Sequence, residues 1–419
     1  MSHPPEAPTR LARRLGTADA VIIGLGSMIG AGVFAAFGPA ARAAGNGLLI
    51  GLGLAALVAY CNATSSAQLA ALYPESGGAY VYGRNRLGPF WGFVAGWGFV
   101  IGKLASCAAM AMTFGSYAAP TSAHPLAVAS VVVLTAVNYF GVQKTAILTR
   151  AIVTFVLLVL GTVVAAVWLG GAADVARLWP IHQAAPYGVL QSAGFLFFAF
   201  AGYARLATLG EEVIDPKRVI PRAIPVALAI TLVVYAIVAV SVLAGAGSDA
   251  LATSSAPLAT AVDRGHLTWL SPAVRVGATV ASLGVLLSLI VGVSRTLFAM
   301  SANRDLPTFL AAVHPRYRVP HRAELLVGGV VAVIAAVADV RSAIGFSSFA
   351  VLVYYAIANA AAWTLKGEER RWPRPIAAFG LVGCLALAVA LPPASVVGGA
   401  GLVASGAIVY LVVNRRARA

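Results

Sequence analysis

Long apolar runs, separated by short polar stretches, set the pattern of this chain. They cover about 18–40, 46–71, 88–118, 124–141, 148–170, 188–210, 222–245, 272–302, 323–340, 342–365, 374–391 and 394–413. Each approaches the roughly twenty residues that an α-helix needs to cross a bilayer core. The pattern predicts an all-α membrane protein of about twelve transmembrane helices and no soluble domain. Composition points the same way: 60% of residues are hydrophobic, 10% are charged and the mean hydropathy is +0.88. A soluble globular domain is far less apolar.

The first run is irregular. Gly24, Gly26, Gly30 and Gly32 fall within it, and each interior glycine costs a helix roughly 1 kcal/mol relative to alanine. An unwound break is therefore expected near Gly30. Inside a bilayer, irregular backbone is tolerated only where it is buried in protein or lines a watery cavity. The half-helix beginning near Gly32 would turn its positive end and free N–H groups to a carboxylate, and the end of the preceding half would offer carbonyls to an ammonium. Together they suit the head of an amino acid. The alternative is that the glycines, including the Gly26-xxx-Gly30 spacing, only let helices pack closely. A dinucleotide fingerprint is not present, because the spacing is G-x-G-x-x-x-G and no strand precedes it.

Charge reports topology. The net charge is +15, with 29 Lys and Arg against 14 Asp and Glu. If the amino terminus is cytoplasmic, only Arg42, Arg177, Arg264, Arg275 and Arg341 fall on the far side, and Lys103, Arg205 and Arg295 fall within spans. The remainder lie on the cytoplasmic side, as the positive-inside rule requires. The expectation is a multi-pass protein of the cell membrane with both termini cytoplasmic, partnered by the lipid bilayer and not by nucleic acid. The tail of residues 1–16 has no short apolar core followed by a small-residue cleavage site, so no removable signal is read there. Cys61, Cys107 and Cys384 fall in spans without C-x-x-C spacing, and the six histidines fall in tails or loops. No cofactor and no metal site are expected. Every acidic residue lies at or beyond a span end, which argues against an intramembrane enzyme.

The polar connection after the second run, Pro74-Glu75-Ser76-Gly77-Gly78-Ala79-Tyr80-Val81-Tyr82-Gly83-Arg84, reads as an ordinary structured loop at the cytoplasmic interface. With the glycine-rich first helix it also resembles the amino acid/polyamine/organocation permeases. The likeness continues through Phe197-Phe198-Ala199-Phe200-Ala201-Gly202-Tyr203, Gly210 to Ile224, Ser294-Arg295-Thr296-Leu297-Phe298-Ala299-Met300, Asp305-Leu306-Pro307 and His314-Pro315-Arg316. The resemblance implies two five-helix inverted repeats plus two further helices, with helices one and six discontinuous at the midplane. On that template the repeats span about 17–170 and 188–366, so the core is 17–366. The extra helices fall in 367–413, between a tail of 1–16 and a tail of 414–419.

The resemblance also implies a site. The substrate carboxylate would meet the N–H groups of Gly30, Ala31 and Gly32, and its amino group the carbonyls near Ser27, Met28 and Ile29. Helix six would add carbonyls near Phe198 and Ala201 beside Gly202, with Phe198 or Phe200 as an aromatic gate. Two departures matter. Ala31 lacks the hydroxyl that many members carry there, and Gly202 is followed by Tyr203, Ala204 and Arg205 where many have an acidic residue, which weakens a cationic substrate. No lysine lies in the fifth span, but Lys103 sits in the middle of the third, where an ionisable group is a functional candidate by default. It is the candidate for proton coupling, against a purely structural charge. Arg205 either lines the cytoplasmic vestibule or snorkels and pairs with Glu211 or Glu212. The expected activity is proton-coupled transport of a small amino acid or amine by alternating access. The alternatives are an amino acid/polyamine exchanger without proton coupling, a channel, or a ligand-sensing membrane protein.

Overall fold

The computed structural model describes residues 15–75, 77–141, 146–179, 184–207 and 213–418. Glu211 and Glu212, proposed partners of Arg205, and most of the amino-terminal tail lie outside them. The first apolar run folds as three pieces, α1 Thr17–Met28, α2 Ala31–Ala35 and α3 Phe37–Ala44. There follow α4 Leu48–Leu72, α5 Ala79–Leu87, α6 Pro89–Ala118, α7 Ala123–Tyr139 and α8 Ala146–Leu169. The sixth run gives α9 Pro186–Phe200, a 3₁₀ turn Ala201–Tyr203 and α10 Ala204–Ala207. The rest is α11 Pro216–Ala246, α12 Ser248–Thr253, α13 Pro257–Val262, α14 Ser271–Ala302, α15 His321–Val337, α16 Val340–Trp363, α17 Arg374–Ala390 and α18 Pro393–Arg418.

Among the described residues, nine stretches are long and apolar enough to cross a membrane, the first counted across the gap between α1 and α2. The runs at 188–210, 323–340 and 374–391 fold differently: α9 passes into a 3₁₀ turn, and α15 and α17 have 17 residues each. The interior is built around α6, which packs against α14 and α16. The apolar windows of α6 and α16 are each 83% buried by protein, against 22% for α7 and for α18. A polar group on α6 or α16 therefore faces protein, and even on α7 and α18 the polar Ser130, Thr135, Asn138 and Ser395 are turned inward.

The connection between α4 and α6 corrects its reading as an ordinary loop, because most of it is the helix α5. Gly77 and Gly78 take φ of 141° and 57°, a region closed to most side chains, and reverse the chain. The helix that follows then buries Tyr80 and Tyr82, which are 3% and 1% exposed. The Ala79 N–H at its start donates to the Tyr354 hydroxyl of α16 at 2.8 Å. Tyr80 donates to Asp305 Oδ2 at 2.6 Å, Arg84 Nη1 reaches the same oxygen at 2.7 Å, and Asn303 Nδ2 donates to Tyr80 at 3.0 Å. Burial first, and then the hydrogen bond to Asp305, push the Tyr80 hydroxyl up to about 12, so it stays a donor at any working pH. This cluster ties α5 to the segment after α14, and Arg86 adds an ion pair to Glu369 at 2.7 Å beyond α16.

Asp305→Ala should remove the shared acceptor of Tyr80 and Arg84, costing about 1.5–3 kcal/mol for hydrogen bonds to a charged group. The expected result is a thermal midpoint lowered by several degrees in detergent, with Asp305→Asn intermediate.

Candidate functional site

The break in the first run lies at Ile29–Gly30. Ile29 N–H closes α1 on the Leu25 carbonyl at 2.6 Å, and Gly30 N–H turns back to the Met28 carbonyl at 2.8 Å. Ile29, at φ −77° and ψ 71°, is the centre of an inverse γ-turn. Beyond it the helical ladder restarts: Ala36 N–H bonds to Gly32 O at 2.9 Å and Ala40 N–H to Ala36 O at 3.1 Å. So α2 runs into α3 with little interruption, and Ala31 and Gly32 stand at the start of a helix whose first N–H groups have no intrahelical acceptor. The Gly30 N–H is committed to the turn. Of the three amides expected to face a carboxylate, those of Ala31 and Gly32 begin the helix.

Helix six meets this break directly. A Cβ on Gly202 would collide with the Ser27 carbonyl, and one on Gly32 would stand 2.8 Å from the Ala199 Cα. The turn of α1 and the 3₁₀ turn of helix six therefore touch backbone to backbone. At Ala201–Tyr203 the α ladder gives way to the tighter 3₁₀ pattern, so helix six is discontinuous without a coil segment. Phe198 is 8% exposed, and Phe200 is fully buried with its ring 5.1 Å from that of Tyr235.

Two tyrosines that the sequence reading did not single out hold these breaks. The Tyr235 hydroxyl of α11 lies 2.6 Å from the Met28 carbonyl and 3.1 Å from the Ala199 carbonyl, so one donor serves both helices. The Tyr355 hydroxyl of α16 donates to the Ala201 carbonyl at 3.4 Å. Tyr235 lies in an apolar run whose pattern explains a buried ring, and only the fold shows where its hydroxyl points. Next to the Tyr355 site, Asn359 Nδ2 donates to Asn62 Oδ1 at 2.6 Å and Cys384 Sγ lies 3.2 Å from the same oxygen, joining α4, α16 and α17.

Lys103 is 6% exposed at the centre of α6, with Nζ 5.9 Å from the Phe99 ring centroid. Among the described residues it has no ion-pair partner. One turn along, Ser106 Oγ and Ser347 Oγ lie 2.6 Å apart, so α6 and α16 are linked by a polar contact beside the lysine. Arg205 is half-buried on α10.

These features combine two broken helices, carbonyls held by hydroxyls and a lysine enclosed at mid-span. Comparison with known proteins gives the family. The family model described as "Amino acid permease" matches residues 15–413. This chain belongs to the amino acid permease family. It is similar to an uncharacterized transporter of Mycobacterium tuberculosis, 62% identical over 99% of this chain and 95% of that protein. It is 24% identical to the branched-chain amino acid permease BcaP of Bacillus subtilis, over 97% of this chain and 94% of that one. Cationic amino acid transporter 4 of Homo sapiens is 28% identical over 83% of this chain and 59% of its own length. The permease is thus a multi-pass membrane transporter and not an enzyme.

Tyr235→Phe removes a buried donor shared by two carbonyls. An unsatisfied buried polar group costs about 1–3 kcal/mol. The substrate-free permease should lose several degrees of thermal midpoint. A larger shift than wild type on adding substrate is expected, because a bound ammonium would restore the missing donor; differential scanning fluorimetry reads both.

Proposed function

We propose that the permease is a secondary active transporter of amino acids, coupled to protons and working by alternating access. The observation that carries this reading is the shared hydroxyl of Tyr235 on the Met28 and Ala199 carbonyls. Each carbonyl sits at a break, so each has acceptor capacity that an intact helix would use internally. A donor with more hydrogens, such as an ammonium, can serve both at once. The amides of Ala31 and Gly32 supply the opposite polarity within the same turn and face the carboxylate. Ser27, Met28 and Ile29 with Phe198, Ala201 and Gly202 surround the zwitterion, and Phe198 or Phe200 closes over it.

Around this site the chain would be organised as the inverted repeats 17–170 and 188–366 followed by two further helices in 367–413, twelve spans in all, with both termini cytoplasmic in the cell membrane. Lys103 is the proton carrier in this scheme. Its amine is enclosed on the helix that packs against both α14 and α16. A charge there is expensive unless paired or hydrated, so gain or loss of a proton would bias how those helices pack. The contact of Tyr80, Arg84 and Asp305 would close the cytoplasmic mouth, and Arg205 would line the vestibule.

The test is uptake of labelled amino acids and amines into proteoliposomes with and without an inward proton gradient. Saturable uptake with counterflow, raised by the gradient and indifferent to sodium, is the expected result. Unsaturable flux would indicate a channel, binding without flux a sensor, and sodium dependence would remove the proton assignment. Lys103→Gln should abolish the response to the gradient while leaving counterflow exchange. A variant that kept full gradient-driven accumulation would exclude Lys103 as the carrier.

A further inference from the structure

A cavity of about 290 Å³ opens on the face of the bundle opposite the cluster of Tyr80 and Asp305. Its wall includes Ala35 and Arg42, Met112 and Ser116 at the end of α6, His124, and Asp339 with Arg341 at the start of α16. Ala35 follows Gly32 by three residues, less than one helical turn of about 5.4 Å. The cavity therefore lies directly beyond the break on the half of helix one that runs away from α1. The neighbouring Phe34 is fully buried, its ring edge against Tyr117 at 5.8 Å, and the Tyr117 hydroxyl donates to the Phe34 carbonyl at 2.9 Å.

Two guanidiniums share this space. Arg341 lies with its charge 5.6 Å from the ring centroid of Phe195 on α9, and it feels Arg42 as a like charge and Asp339 as an opposite one. Among the described residues neither arginine has a carboxylate within 4 Å. Asp339 lines the same cavity, but its oxygens are engaged: Oδ1 accepts the Ser342 N–H at 3.0 Å and Oδ2 the Ser342 hydroxyl at 2.6 Å, capping α16. His124 is likewise engaged, with Nδ1 2.9 Å from the Ala335 carbonyl. One carboxylate, already tied to Ser342, against two guanidiniums leaves the cavity with excess positive charge, and paired guanidiniums match a planar carboxylate through parallel N–H donors.

We infer that Arg42 and Arg341 form an entry subsite that takes the carboxylate of an amino acid before it passes Phe34 to the break at Gly30, and that this subsite disfavours substrates of net positive charge. The inference rests on the permease reading. It assigns the substrate class, neutral or acidic amino acids, to residues apart from the central site. One end of the path is set by the two arginines and the other by the amides of Ala31 and Gly32, so a carboxylate leads from first contact to final position. A lysine-like side chain would enter against the field of both guanidiniums.

The test has a transport arm and a binding arm. Initial rates of L-leucine, L-glutamate and L-lysine uptake are measured in proteoliposomes at several ionic strengths, for wild type, the double variant Arg42→Gln/Arg341→Gln and its lysine counterpart. The expected result is a KM for leucine or glutamate raised about three- to tenfold in the glutamine variant, as for partly exposed charge pairs, with unchanged maximal rate. Its dependence on ionic strength should be flattened, and the lysine variant should recover part of the loss. In the binding arm, phenylglyoxal modification of wild type is mapped by mass spectrometry. L-leucine should protect Arg42 and Arg341, and leucinamide, which lacks the carboxylate, should not. Unprotected arginines, or protection by chloride equal to that by leucine, would overturn the subsite. So would protection supplied by phosphatidylglycerol alone, which would assign the pair to a lipid phosphate, or a glutamine variant with wild-type KM and salt dependence. If no amino acid is taken up yet leucine protects both arginines, the transport reading fails and the carboxylate subsite stands.

Discussion

The structure depends on one constraint: a backbone polar group deep in a bilayer must have a partner. Breaking helix one at Ile29–Gly30 frees groups that a continuous ladder would have used, and the fold answers locally. Gly30 N–H returns to Met28 O, and the same carbonyl receives the Tyr235 hydroxyl. Helix six avoids a full coil by tightening to a 3₁₀ turn, and its Ala199 and Ala201 carbonyls also meet the hydroxyls of Tyr235 and Tyr355. The partners come from α11 and α16, so the break is held by its surroundings rather than by its own helix. Such a break can be satisfied in more than one way, which is what a binding site that empties and refills requires.

Much of this was legible in the sequence, and the reasons differ by element. Length and apolarity alone located nine stretches that, among the described residues, are helices long and apolar enough to cross a membrane, against about twelve expected. The gap between α1 and α2, the first break, falls inside the glycine-rich stretch, because glycine cost is a local property. Gly202 marked the second, although a 3₁₀ turn rather than an unwound strand could not be read from it. The helix α5 was missed because its helix-forming face is recognisable only once Tyr80 and Tyr82 have a wall of α6 and α16 to bury against. Tyr235 was missed for a related reason, since a tyrosine in an apolar run gives no sign of where its hydroxyl will point.

An interruption of helix one and a close helix contact, the two features expected of the glycines, occur in one geometry. Gly202 lies against the Ser27 carbonyl, Gly32 lies against Ala199, and the space a side chain at Gly30 would need is filled by Val285 of α14. The absence of Cβ atoms is what lets two helix breaks share one hydroxyl. Close packing here is the means by which the site is assembled.

That geometry also limits how the site can change. With Val285 covering Gly30 and Phe34 buried beside the arginine-lined cavity, the backbone groups of helix one are shut off toward α14 and separated from that cavity. On the opposite face the Tyr80 and Arg84 contacts with Asp305 hold the segment after α14 against α5. From the α14 side a solute would reach the break only if α14, or the half-helix from Ala31 onward, shifted relative to the other. Glycine at positions 30, 32 and 202 makes such a shift possible without dragging side chains through a neighbour. Because α14 carries both Val285, which covers the break, and the segment leading to Asp305, motion of that single helix would, under the proposed alternating access, couple the site to the mouth. A transporter needs that coupling; a permanently open pore would have no use for it.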